Sequence, residues 1–479
     1  MTQKENLEPD KRSGLWGLMD RIEGDKVVWI IVFMLIMISW LAIFSSTPLL
    51  ALELGTDRLS IMKDQIGVTI FGMFIIWVLY KIQRISILRW FSKWGFLLSL
   101  ALLVILDFKL NLGFIRSESL NSARRTLNVF GMQLHVFEVV KVSMVMYLAW
   151  AIHICKKDEE DKSKKKHLRW LNKIAAVKGL EFLRKGFWKR AICIYAPIGI
   201  VTLMIMPGSN SSAILIGGIM GIILFLGAVP IKEILGVIAA GALAIGLAFG
   251  AYKISDGKIF HRFSTFEGRV TMDKSPERLL ELSGQERQDL LDDIHQPNAA
   301  KLAVHEGGIL GKGPGGSTQK YVVPVMFGDY MFSFLLEEYG LWGGIFIIFL
   351  YVSLMARGSW IARLCDSDFA QIAVCGLTLL IGVQAFLHMF INVDLGPLTG
   401  QTLPLVSHGK GAFVSFCVAF GVILSISRMA NKKIREEEAQ AKPLIEKEDD
   451  IQASLGVIES IDSLDEIDAL EEIDNEENY

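Results

Sequence analysis

Some ten stretches of this chain carry about 17–25 mainly apolar residues in succession, the length that crosses the hydrocarbon core of a bilayer as a helix. They fall near 27–46, 64–81, 94–108, 137–154, 191–206, 213–229, 233–252, 332–356, 369–391 and 409–428, and those at 94 and 191 are short. A bilayer core holds no water for free backbone N–H and C=O groups, so spans must be helices or a closed barrel. Runs this long exclude barrel strands. The 479 residues are 52% hydrophobic, which fits a polytopic membrane protein. The predicted fold is all-α, an integral membrane bundle of about ten transmembrane helices.

Charge orients the bundle. Lys and Arg crowd 81-KIQRISILRWFSK-93, 156–190 and 431-NKKIREEE-438, which places these segments in the cytoplasm by the positive-inside rule. Both termini are then inside, and 46–63, 109–136, 207–212, 253–331 and 392–408 are outside. Segment 1–26 is polar, has no cleavable signal pattern and reads as a cytoplasmic lead. Residues 27–430 form the membrane domain. Residues 431–479 turn acidic and read as a disordered cytoplasmic tail. The large extracytoplasmic loop 253–331, between spans 7 and 8, is neither low in complexity nor continuously polar. It reads as a folded functional loop, with amphipathic helix expected over 275–308. Five cysteines lack metal-ligand spacing and read as reduced and structural.

Several residues on the outer face ask for a reason to be there. Asp329 lies at the doorway of an oily segment, where a carboxylate faces a cavity, a substrate or a partner, or simply caps a helix. Glu337 and Glu338 follow two turns later, and adjacent helical positions diverge by about 100°. At most one of them therefore shares a cleft with Asp329, and the other caps a loop or pairs. Glu138 and Lys141, three apart, share a helix face and can form an ion pair inside the bundle. The pair either binds substrate or fixes packing. Arg124 and Arg125 stand where the positive-inside bias would not put them, as headgroup anchors or as phosphate forks. In 311-GKGPGGSTQK-320 the glycines let backbone approach a ligand, with Ser317, Lys312 and Lys320 adding hydroxyl and charge. A plain tight turn explains the same pattern. The Pro- and Gly-rich loop 392–411, with Asn392 and Ser407, reads as a cavity wall.

In this order, 121-NSARR-125, 138-EVVK-141, 307-GGILGKGPGGSTQK-320, Asp329 with 337-EE-338, and 396-GPLTGQTLPLVSHG-409 resemble the SEDS family of bacterial cell-wall polymerases, which includes FtsW, RodA and SpoVE. The resemblance covers roughly 27–430, and GKGPGGS and GQTLPL look more like the division-associated FtsW branch than the elongation-associated RodA branch. It implies a peptidoglycan glycosyltransferase that polymerises lipid II, an undecaprenyl-diphosphate-linked disaccharide peptide, at the outer face of the cytoplasmic membrane. It further implies a class B penicillin-binding transpeptidase (FtsI-like) and other division proteins as partners, with a place at the septum. No nucleic-acid partner is expected. The family's essential outer aspartate falls on Asp329. Three departures bear on Gly208, His408 and Lys410: the family usually has an acid after the proline where this chain reads 206-MPGSNSSA-213, Ser-Tyr-Gly-Gly-Ser in place of 407-SHGKG-411, and Gln-Pro-Ser before the acid where this chain reads 134-LHVF-137.

The mechanism this implies makes Asp329 the general base in an inverting displacement, with Arg124, Arg125, Lys312 and Lys320 holding the departing diphosphate and Arg262 and Arg269 in reserve. A divalent cation, Mg²⁺ or Mn²⁺, can bridge the phosphate oxygens. The competing readings are a flippase for the lipid-linked precursor and an inactive scaffold.

Overall fold

The computed structural model describes residues 23–108, 115–120, 123–129, 132–160, 168–177, 181–254, 285–323, 326–396 and 399–440. The chain divides into two compact units, Met1–Arg428 and Met429–Tyr479. Its main elements begin with α1 Lys26–Ser46, α2 Arg58–Tyr80 and α3 Ile85–Asp107. Strands β1 Ile115–Leu120, β2 Ala123–Val129 and β3 Met132–His135 follow. Then come α4 Val136–Glu160, α5 Gly186–Ile205, α6 Asn210–Leu226 and α7 Ile231–Ile254. The chain continues through α8 Gln285–Gly307, α9 Met331–Arg363, α10 Asp368–Asn392 and α11 Lys410–Gln440.

Every apolar window read from the sequence falls on a helix. Among the described residues eight helices are long and apolar enough to cross a membrane, and α6 is apolar but shorter. Helices α4 and α10 are buried over most of their length, whereas α2 and α3 leave much of theirs outward. Side chains such as Phe71, Phe74, Trp90 and Leu97 stay exposed, as they must where the solvent is lipid. The centre is packed by α4, α9, α10 and the first part of α11, with Phe334, Tyr351, Phe369, Phe413, Phe416 and Phe420 fully buried.

Two findings amend the purely helical expectation. The segment between α3 and α4 forms a three-stranded antiparallel sheet in the order β1-β2-β3. Its middle strand β2 packs on α3 and α4, burying Thr126 and Leu127. The strands are short and polar, so they carry no apolar period for sequence reasoning to catch. In the large loop, 285–307 is helical as expected and contains Pro297, Gly308 turns out of the helix with φ 52°, and 275–284 lie outside the described residues.

The second finding is that α9 is broken. Gly340 has φ 65° and ψ -167°, so the apolar window at 332–356 is two helical pieces. Helix α1 serves as a ruler for where the break lies. At its start, Asp25 accepts from Val27 N at 2.9 Å and Val28 N at 3.1 Å and pairs with Arg357 Nε at 2.8 Å. Near its end, Ser45 Oγ donates to Glu338 Oε1 at 2.5 Å. The interval from 25 to 45 is roughly 30 Å at 1.5 Å per residue, about one hydrocarbon thickness. The break therefore lies at one membrane interface and Arg357 at the other.

Candidate functional site

Asp329 lies in the turn that leads into α9, and its backbone is held on three consecutive carbonyls. Phe327 O accepts from His408 N at 2.9 Å, Gly328 O from Ser407 Oγ at 2.9 Å, and Asp329 O from Asn392 Nδ2 at 2.9 Å. The first turn of α9 has N–H groups with no partner inside the helix, and α10 supplies the partners. Ser333 N donates to Asn392 Oδ1 at 3.0 Å and Phe332 N to His388 Nε2 at 3.4 Å. With Nε2 accepting, His388 is the Nδ1–H tautomer and donates to Gln401 O at 2.7 Å. Asp329 is half-buried and sits just before a helix N-terminus, where the helix dipole favours a negative charge. The loop expected as a cavity wall thus clamps the acid's backbone.

Lys141 lies at the centre of a second group and is 2% exposed. Its ammonium donates to Glu138 Oε1 at 2.6 Å, Gln384 Oε1 at 2.5 Å and Gln401 Oε1 at 3.0 Å. Three donors meet three acceptors, and one carboxylate balances the charge. Gln401 Nε2 continues to Ser212 Oγ at 3.0 Å, and Gln384 Nε2 to Thr402 O at 3.1 Å. Glu138 keeps its other oxygen, Oε2, buried without a hydrogen-bond partner. Through Gln401 and His388 this group is bonded to the first turn of α9, so the two groups form one polar network.

The sequence reading did not single out Gln384, His388, Gln401 and Ser212, although a signal for the first two existed. Gln384, His388 and Asn392 stand four apart on an otherwise apolar helix and so share one face. A polar stripe of that kind in a membrane span has to point into the bundle.

The Gly-rich loop does something other than cradle an anion in the open. It fills the break in α9. Lys312 N and Gly313 N donate to the free carbonyls of Glu337 and Glu338, each at 2.9 Å, and Leu341 N donates back to Gly308 O at 3.0 Å. The approach is so close that a Cβ on Gly311 would lie 2.3 Å from Glu338 O, and one on Gly340 2.4 Å from Gly311 N.

Glu337 and Glu338 both turn into this junction and are fully buried, so both pair with the loop. Glu337 accepts from Ser317 Oγ at 2.5 Å, Thr318 N at 2.8 Å and Lys312 Nζ at 2.8 Å. Lys320 is 2% exposed, bonded to Gly315 O at 2.8 Å and Ser45 Oγ at 3.2 Å and 3.6 Å from Glu338 Oε1. Lys312 also reaches Glu306. Its ammonium holds the Glu306 carboxyl below the usual range. Desolvation works against the charge on Lys312, yet the carboxylates of Glu306 and Glu337 raise its own pKa. Lys312, Lys320 and Ser317, expected at the departing diphosphate, are engaged here by carboxylates: Lys312 by Glu306 and Glu337, Ser317 by Glu337, and Lys320 by Glu338.

Arg124 and Arg125 lie on β2, with side chains outside the described residues, and Arg262 and Arg269 lie outside them altogether. At the departures, Gly208 is buried, His408 Nδ1 is 3.2 Å from Gln65 Oε1 and Lys410 pairs with Asp64 at 3.2 Å. Among the described residues no group of three His, Cys, Asp or Glu side chains converges as a metal site.

Against known proteins, residues 25–432 match the family FTSW_RODA_SPOVE, described as "Cell cycle protein". This chain belongs to the FtsW/RodA/SpoVE family. A relative within it is the probable peptidoglycan glycosyltransferase FtsW of Methylococcus capsulatus, 26% identical over 415 residues, 86% of this chain and 91% of that one. The probable peptidoglycan glycosyltransferase FtsW of Caulobacter vibrioides is 29% identical over 231 residues, 48% of this chain and about half, 53%, of that protein. Among solved structures, one from a peptidoglycan synthase complex, described as coordinating polymerization and crosslinking, aligns with a TM-score of 0.58 at 17% identity. It covers 85% of this chain and 98% of that one. The FtsW/RodA/SpoVE fold is thus shared along most of the membrane domain.

Proposed function

We infer that this chain is a peptidoglycan glycosyltransferase that joins lipid II units into glycan strands at the outer face of the cytoplasmic membrane, in septal synthesis beside a class B penicillin-binding transpeptidase. The observation that carries the reading is the clamped turn: three neighbouring backbone carbonyls around Asp329 are each held by a separate donor. A general base needs its position fixed more than it needs a large pKa change.

In this reading Asp329 takes the proton from the acceptor sugar hydroxyl as that oxygen attacks the anomeric carbon of the donor. The bond to the diphosphate breaks with inversion, and no covalent enzyme intermediate forms. One positioned base contributes about 10²–10⁴-fold. The departing diphosphate needs fixed positive charge in a water-poor site. Arg124 and Arg125 are the candidates to meet it, with Arg262 and Arg269 of the large loop. Lys141 is neutralised and saturated by its partners, which favours a role in holding α4, α10 and the 401–408 loop in register around the acid. A divalent cation, Mg²⁺ or Mn²⁺, would come with the substrate's phosphates and not from a protein cage.

The break in α9 bears on the transporter alternative. Transporters place discontinuous helices at the bilayer midplane, where the substrate fills the gap. Here the gap lies at an interface and is filled by the protein's own glycines, which supports chemistry at the rim. The test gives the purified protein and its transpeptidase partner labelled lipid II in detergent, then in sealed vesicles. Glycan strands formed in detergent, with no leaflet to cross, are expected. Lipid II crossing vesicles without any strand formed in either setting would overturn the assignment.

A further inference from the structure

The membrane face opposite Asp329 carries a cavity of about 320 Å³ among the ends of α4, α6, α9 and the start of α10. Lys156, Ser359, Arg363 and Asp368 bring polar groups to it, and Leu226 and Ile372 bring apolar ones. Lys156 and Asp368 satisfy each other at 3.3 Å. Arg363 is exposed and has no ion-pair partner among the described residues, so the cavity holds one positive charge in excess. Ser359 and Arg363 follow Arg357 by two and six residues, within roughly 9 Å along the helix, which sets the cavity at the level of the lipid headgroups. Phe225 and Trp360 are adjacent in sequence to the lining residues Leu226 and Ser359, and are 63% and 51% exposed.

We propose that this cavity binds the phosphodiester of an anionic phospholipid, with Arg363 and Lys156 on the phosphate and an acyl chain along Leu226 and Ile372. A single negative charge completes the balance that Asp368 leaves open. Basic pockets between transmembrane helices recognise anionic headgroups by this combination, and an arginine fork suits a phosphate better than a carboxylate-bound lysine does. The apolar flank distinguishes a lipid from free phosphate, which has nothing to lay against it. The site is separated from the clamped acid by the thickness of the membrane, so it stands apart from the glycosyltransferase reading.

The test titrates the purified full-length protein in neutral detergent with short-chain phosphatidylglycerol, phosphatidylcholine of equal chain length and inorganic phosphate, reading bound lipid by native mass spectrometry. Phosphatidylglycerol binds, the zwitterionic lipid does not compete, and excess inorganic phosphate does not displace it. Arg363→Gln weakens binding about fivefold and Arg363→Glu about twentyfold, as loss or reversal of one headgroup contact requires, while Arg363→Lys retains most of it. The Gln and Lys variants, at an exposed position, keep the comparison valid should Arg363→Glu disturb folding. Equal binding of the two lipids, displacement by inorganic phosphate, or unchanged affinity in Arg363→Gln would each overturn the assignment.

Discussion

At the scale of single residues, the acid works only as well as the residues that hold it. Asn392 bonds both Asp329 O and Ser333 N, so Asn392→Ala frees the turn and leaves a helix N–H without its acceptor. The expected cost is about 1–3 kcal/mol of stability, with polymerisation down by about tenfold to hundredfold through misplacement of the base. Glycan yield set beside thermal melting checks both. Lys141 differs because its loss strands Glu138. Lys141→Met is expected to destabilise by about 3–5 kcal/mol, and the double variant Glu138→Gln with Lys141→Met to recover much of that. Recovery of stability without activity would assign Lys141 to the substrate as well.

His408 gives a pH prediction at the same scale. Burial, and then the charge of Lys410, push its pKa down to about 4. The folded state therefore favours the neutral ring. Its contribution is intact above about pH 6.5 and is lost as pH falls towards 4, worth about 3 kcal/mol at most. Melting curves of His408→Gln should fall less over that window than those of the parent.

Among elements, the broken helix and its glycine plug decide how the rim near Asp329 is built. Gly340 and Gly311 both have positive φ and both touch backbone. Gly340→Ala or Gly311→Ala adds a clash that no side-chain rotation relieves to a conformational cost of about 1–2 kcal/mol. Gly313→Ala, with φ 88° and nothing within 4 Å, pays only the conformational cost. Melting temperatures should rank the variants in that order. The break was not legible in the sequence, because 331-MFSFLLEEYGLWGG-344 reads as continuous helix with three glycines, and only tertiary hydrogen bonds reveal why Gly340 is the one that ends it. The pairing of Glu337 and Glu338 with one loop was missed for the same reason. Glu138 with Lys141 was legible, since a spacing of three fixes a shared face whatever the tertiary fold. The sheet around Arg124 was not, because its strands borrow stability from α3 and α4 and not from a pattern of their own.

For the whole molecule, the apolar runs were enough to place the long apolar helices among the described residues, because a bilayer leaves the backbone few alternatives. Side chains that meet across helices are a different matter, since nothing local encodes that Gln401 joins Lys141 to His388. Those contacts tie the two polar groups of the bundle together and hold the Asp329 backbone in place at one rim of it. Its most direct test is Asp329→Asn, which keeps the shape and the backbone clamp and removes the base. The purified variant with its transpeptidase partner and labelled lipid II should melt like the parent and lose strand synthesis by about 10²–10⁴-fold; glycan strands made at the parental rate would contradict the role given to Asp329.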